Sequence, residues 1–208
     1  EKLLGKEGLP AELAQVPPRK LGRPTKLTLE IDPTAAFVGE EVRFWGRLSC
    51  GDEPLAGKRV DLLLDGTEYA TAVTREDGWY QGVLQVPYKY MSEVGLEALY
   101  RPGGGDIGFY LASKSPVVKV TVLFYSATLI LKLEKAYPGL ETEVSGSFDY
   151  GEFPVPKARQ VEIYLDGSFM SQAEVGQDFC WPTKLAPQTE LGKHRITVSA
   201  PAMGRYAP

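Results

Sequence analysis

Apolar and polar residues alternate with a period of two along much of the chain from Lys26 onward. Leu27, Leu29 and Ile31 alternate with Thr28 and Glu30. Val42, Phe44, Gly46 and Leu48 alternate with Glu41, Arg43, Trp45 and Arg47, and Val60, Leu62 and Leu64 alternate with Asp61 and Leu63. Successive side chains of a strand point to opposite faces, so this pattern predicts half-buried strands with one face toward a core. Further strands are predicted over Thr67–Thr74, Trp79–Val86, Leu96–Tyr100 and Val117–Val122. Asp65-Gly66 and Asp77-Gly78 punctuate them. Asp-Gly is a strong hairpin signal because glycine takes positive φ at little cost. About seven short strands with almost no helix signal predict a β-sandwich.

The first 25 residues break the pattern. A weak helix is predicted around Ala11–Gln15, and Val16–Pro24 is too rich in proline to continue it, since proline lacks a donor and pushes its predecessor to extended backbone. Residues 1–25 therefore read as an extended linker.

The strand pattern occurs twice. Gly39-Glu-Glu-Val-Arg-Phe-Trp-Gly46 matches Gly139-Leu-Glu-Thr-Glu-Val-Ser-Gly146 at an offset of 100, and Val60–Gly66 matches Val161–Gly167 at an offset of 101. Pro54 matches Pro154. Gly95–Tyr100 corresponds loosely to a segment led by Gly192, His194 in that segment is read as aligned with Leu96, and Tyr110 corresponds to Tyr206. A period this long means two complete domains, each burying its own core. We expect them over 26–124 and 125–208, joined near Leu123–Ser126 by a link short enough to restrict motion. Repeat two has no counterpart of Val117–Val122, so its sandwich is expected to lack the last strand. That leaves an exposed sheet edge or one completed by another segment or chain. The chain starts at Glu1 without Met or a signal peptide, reads as a fragment or processed piece, and is expected to continue past Pro208.

Composition narrows the chemistry. The 208 residues carry 23 Lys+Arg against 27 Asp+Glu, a net charge of −4, which offers no basic surface for nucleic acid. No apolar run approaches the roughly 18 residues of a membrane span. One His and two Cys leave too few ligands for multi-His zinc sites and no disulfide framework. The chain has no Asn, hence no N-glycosylation acceptor, and its hairpins use Asp-Gly where Asn-Gly would serve. Avoidance of a thermolabile residue points to a thermophilic source.

The order of a strand, Val42–Leu48, the segment Pro54–Gly66, the turn Thr74–Tyr80, a Gly-led strand Gly95–Tyr100 and a loop with Tyr110 resembles the immunoglobulin-like domains strung along prokaryotic surface and secreted proteins, archaeal ones included. Pro54–Tyr80 is also similar to carboxypeptidase-regulatory and prealbumin-like sandwiches. The resemblance covers residues 26–208, twice. Repeat two departs from it where Gln177-Asp178-Phe179-Cys180-Trp181 replaces Arg75–Tyr80. It implies an all-β fold of two tandem immunoglobulin-like sandwiches and an extracellular or cell-surface location. It also implies a role as spacer, stalk or adhesion segment, or as accessory to a surface peptidase or transglutaminase-like enzyme whose catalytic domain lies outside this chain.

No residue set forms a catalytic constellation in sequence, and no cofactor or metal is expected. Asp65, Asp77, Asp166 and Asp178 could offer carboxylates to calcium, but hairpins use Asp-Gly anyway and no calcium-loop spacing appears. His194 has no nucleophile or orienting group nearby and is read as a structural residue facing the core. Cys50 and Cys180 fall at non-equivalent positions of different repeats and are read as separate thiols. Ser113, Lys114 and Ser115 are neighbours on a strand, so Ser and Lys point to opposite faces. Gly103–Gly105 is read as a flexible loop, since no helix follows to make a phosphate site. The aromatics remain. Trp45 and Trp79 fall out of phase with the core, and Tyr88, Tyr90 and Tyr164 are expected at the surface. They are candidates for packing on a neighbouring domain or the Pro-rich segment, or for binding a surface protein or glycan. The partners expected are other domains of the same polypeptide.

Overall fold

The structure, a computed structural model, describes residues 22–133, 135, 137, 140, 143–175, 178–181 and 192–208. Most of the expected Pro-rich linker, and Gln177, lie outside the described residues. The chain is all-β, with seventeen strands and no α-helix among the described residues.

Repeat one begins with β1 (Lys26–Leu27), β2 (Glu30–Asp32), β3 (Ala35–Phe37), β4 (Glu41–Cys50) and β5 (Glu53–Pro54). It continues with β6 (Arg59–Leu64), β7 (Thr67–Val73), β8 (Trp79–Gln85), β9 (Glu93–Tyr100), β10 (Ser113–Lys114) and β11 (Val118–Leu123). One sheet has the order β1-β4-β2, with β5 and β8 also on β4. The other runs β3-β11-β9-β6-β7, with β10 on β9. The Asp32-Pro33 peptide is cis and lies where the chain passes from β2, in the first sheet, to β3, in the second. There β3 pairs parallel with β11, Ala35 opposite Thr121. Along β4 the even positions from Val42 to Cys50 are buried and the odd ones face outward, as the alternation requires. Inward residues on strands of both sheets, Val42, Leu48, Val60, Leu62, Tyr80, Leu84, Leu96 and Val120 among them, are almost fully buried, the pattern of a β-sandwich.

Repeat two is built from β12 (Thr128–Leu133), β13 (Val144–Asp149), β14 (Arg159–Leu165), β15 (Ser168–Val175), β16 (Asp178–Trp181) and β17 (Ile196–Ser199). Its sheets are β12-β13-β16 and β15-β14-β17. Phe148, Tyr150, Val161 and Ala200 form its buried cluster, with Ala127, Leu129, Val175, Val198 and Tyr206 packed against it. Among the described residues β17 pairs with β14 alone, whereas its counterpart β9 has β6 on one side and β11 on the other. Registers make the equivalence concrete: Leu64 lies opposite Leu96, and Leu165 opposite Ile196.

By compactness the chain divides into two units. One is drawn from Glu1–Ile31, Phe44–Gly82 and Gly95–Val118, the other from Asp32–Arg43, Val83–Val94 and Lys119–Pro208. Strands β2, β4, β8, β9 and β11 have residues in both.

Candidate functional site

Each Asp-Gly hairpin is built as the pattern predicts. Asp65 and Asp166 have φ of 49° and 48°, and Gly66 and Gly167 follow at 80° and 83°. Two successive positive φ values make the mirror-image turn whose twist matches paired strands. The acids do a second job. The Asp65 carboxylate accepts the Gly95 amide at 2.9 Å, and the Asp166 carboxylate accepts the Arg195 amide at 2.8 Å. Each hairpin tip is thereby tied to the strand beside it.

That equivalence corrects the place of His194. Gly95 corresponds to Arg195, not Gly192, so Leu96 corresponds to Ile196 and His194 lies two positions before β17 instead of on it. His194 is exposed, and its Nδ1 lies 2.7 Å from the Asp166 carboxylate. The Arg195 amide first, then His194, hold the Asp166 carboxyl below its ordinary value.

Asp77 closes a different turn. Its carboxylate accepts the Trp79 amide at 3.1 Å, and Gly78 takes a φ of 77°. Asp178 is not in a turn: it opens β16 opposite Ser147, so this part of repeat two is strand from its first described residue. Among the described residues no three His, Cys, Asp or Glu side chains converge as metal ligands. Cys50 is buried and free at the end of β4. Cys180 lies on β16 opposite Ser145. The Ser113 hydroxyl receives the Thr25 hydroxyl, the buried Ser115 hydroxyl receives the Ala98 amide, and the exposed Lys114 pairs with Glu97 at 2.8 Å, so Ser and Lys do face apart. Gly104–Asp106 forms a single 3-10 turn.

The five candidate aromatics are not gathered into one site by the ring contacts of the described residues. Trp45 is half-buried on the outward face of β4, between Arg43 and Arg47. Trp79, at the start of β8, is 40% exposed and Tyr88 59% exposed. The Tyr88 ring covers Gly39, whose φ of 80° suits glycine and where a Cβ would strike the Tyr88 hydroxyl. Tyr90 meets Phe124 edge to face at 5.8 Å and donates its hydroxyl to the Gly204 carbonyl at 2.8 Å. Tyr164 meets Phe169 and donates to Glu162.

Pattern reading missed the aromatic cluster at Tyr125. Its ring contacts Phe37 at 5.1 Å, Phe153 at 5.4 Å and Tyr206 at 5.2 Å, and Tyr206 in turn meets Tyr150 at 6.0 Å. The Arg205 guanidinium lies 4.5 Å from the Phe37 ring centre while pairing with Glu40 at 2.6 Å. The backbone locks it further: the Tyr125 amide donates to the Arg205 carbonyl at 2.7 Å, and the Ala207 amide donates to the Tyr125 carbonyl at 2.8 Å. Repeat one has the same clasp at Arg23, whose amide donates to Phe109 at 2.7 Å while its carbonyl accepts from Leu111 at 2.9 Å. The signal available was the Tyr110–Tyr206 match.

Beside that clasp each repeat carries a cation, and here the repeats diverge. In repeat one, Lys58 pairs with Asp106 at 2.6 Å and lies 5.6 Å from the Tyr110 ring centre. Tyr100 donates to Asp106 at 3.3 Å, and burial with this acid pushes the Tyr100 phenol up to about 12. In repeat two the strand registers put Arg159 in place of Lys58 and Ala200 in place of Tyr100, and the Tyr110–Tyr206 match of the clasp puts Ala202 in place of Asp106.

No family model matches the chain, and no curated protein does. Among solved structures it is similar to the fibronectin(III)-like modules of CbhA from Clostridium thermocellum, at 17% identity over 83% of this chain and 85% of that one, with a TM-score of 0.33. It is also similar to a membrane-anchored protein from Corynebacterium diphtheriae, at 13% identity over 67% of this chain, with a TM-score of 0.38. The match spans 33% of that second protein. Overlaps of this quality decide neither fold nor role, and the fold rests on the strands themselves.

Proposed function

We propose that residues 26–124 and 125–208 are two immunoglobulin-like sandwiches that serve, behind a linker over 1–25, as a non-catalytic spacer or adhesion module of a larger surface or secreted protein. The observation that carries this reading is the duplication of the joinery. Each repeat ties its hairpin tip to a neighbouring strand through an Asp carboxylate, and each clasps its leading segment against a Tyr loop with the same pair of backbone hydrogen bonds. Both devices oppose separation of strand ends, and neither places a reactive group over a cavity. A module meant to hold neighbouring domains apart needs that construction and tolerates replacement. Exchanging residues 26–208 in the full-length protein for two unrelated sandwiches of similar length should therefore leave surface display and the activity of neighbouring domains intact. Loss of either on exchange would defeat the spacer reading.

Recognition by exposed aromatics is the second reading, and the exposure of Trp79 and Tyr88 favours it. Binding in a glycan array or surface pull-down that disappears on Trp79→Ala would establish it in place of the spacer.

A further inference from the structure

Arg159 stands out among the buried groups of repeat two. It is only 2% exposed, and its Nε and Nη1 have no hydrogen-bond partner among the described residues. Its Nη2 donates to the Ala207 carbonyl, and the guanidinium lies 5.1 Å from the Phe148 ring centre. A carbonyl and a ring face do not neutralise a buried cation, and burying a charge without a counter-charge is strongly unfavourable. Repeat one shows what belongs there, because Lys58, at the equivalent position, is held by the Asp106 carboxylate.

Repeat two has removed that carboxylate and left room. Ala202 replaces Asp106 and lines, with Arg159, Ala158, Gln160, Pro201 and Met203, a cavity of about 280 Å³ that also reaches Glu174. Glu174 is exposed and pairs across the strands with Gln160, the neighbour that projects to the opposite face from Arg159. Among the described residues the buried Tyr150 hydroxyl of the repeat's core cluster also has no hydrogen-bond partner.

We propose that this cavity binds a carboxylate group supplied from outside the repeat, which takes the place of the missing Asp106 equivalent and pairs with Arg159. The two free nitrogens are closed to solvent, so a side chain of the cavity wall must move before the ligand reaches them. The group can belong to a small carboxylic acid or to an Asp or Glu side chain of a peptide. The preference for Arg over Lys fits a guanidinium that must spend one nitrogen on Ala207 and still donate to the ligand.

The test uses the whole chain and reads the Arg159 Nε–H resonance by nuclear magnetic resonance. It is titrated with succinate, with a capped Ser-Asp-Gly peptide and with inorganic phosphate. A saturable shift with succinate and peptide supports a site for any carboxylate, and a shift with the peptide alone supports a site for a protein side chain. Ala202→Asp restores the acid of repeat one. It should move the resonance without ligand and weaken ligand binding about tenfold or more. Arg159→Met should abolish binding, and if that variant fails to fold the Ala202→Asp comparison still decides. Absence of any shift, tighter binding of phosphate than of both carboxylates, or undiminished binding by Ala202→Asp would each overturn the proposal.

Discussion

Single residues here do more than their type announces. Asp166 serves the hairpin by tolerating a φ of 48° and then spends its carboxylate on the Arg195 amide and on His194. The first of these is backbone and survives any change at His194. The sign of the pH effect follows. A carboxyl held below its ordinary 3.8 contributes stability that is present above that value and is lost as pH falls through the lower value of the folded chain. A carbon-detected titration of Asp166 should therefore give a midpoint below 3.8. His194→Ala should raise it part of the way and Asp166→Asn should remove the acid-side loss. A midpoint unchanged by His194→Ala would show that the imidazole contact has no electrostatic weight. Legibility at this scale was uneven. The turns at Asp65 and Asp166 could be read from two letters, because positive φ is a local demand. The carboxylate's second partner could not, because it is set by which strand comes alongside. For the same reason the expectation that His194 faces the core fails: the match of Gly95 with Gly192 sets the start of the strand three residues too early, and His194 lies two positions before β17.

At the scale of elements, period-two alternation exposed the strands but not their neighbours. Nothing in Pro33–Ala36 announces that the chain leaves one sheet for the other there, nor that β3 runs parallel to β11. Burial along the first strand differs between the repeats. Leu129 lies opposite Phe148 as Leu27 lies opposite Leu48, so Leu131 and Leu133 occupy the positions of Leu29 and Ile31. Leu29 and Ile31 are 7% and 9% exposed, whereas Leu131 and Leu133 are 38% and 52% exposed. The same inward pattern thus meets a finished core in one repeat and open surface in the other. Ile31→Ala should cost about 2–4 kcal/mol, the usual range for emptying a core position. Leu133→Ala should cost less than about 1 kcal/mol, as surface changes do. Urea denaturation of the two variants measures both, and equal losses would mean that β12 is covered in solution. The cation sites were legible in the sequence too: the Val60–Gly66 match sets Lys58 against Arg159 and the Tyr110–Tyr206 match sets Asp106 against Ala202, but an unpaired charge shows itself only once burial is known.

Across the whole molecule these differences predict unequal stability. A chain without Asn, with its tightest turns made by Asp-Gly, should melt above the roughly 45–65 °C of mesophile domains, and calorimetry checks that directly. Within that melt the strands should not open together. In repeat one β6 lies between β7 and β9, and β9 is flanked in turn by β11, so the amides of Val60–Leu64 are three strands from that edge of a six-stranded sheet. In repeat two β14 lies between β15 and β17, and among the described residues β17 has no further neighbour. Val161 and Ile163 are as fully buried as Val60 and Leu62, so side-chain burial alone predicts equal protection. Opening, however, requires only that a neighbouring strand detach, and an edge strand detaches with fewer hydrogen bonds broken. Native-state hydrogen exchange should therefore show the amides of β14 exchanging faster than those of β6, with the gap closing when a carboxylate occupies the Arg159 cavity and stabilises repeat two. Equal protection factors without ligand would mean that the edge of β17 is already covered.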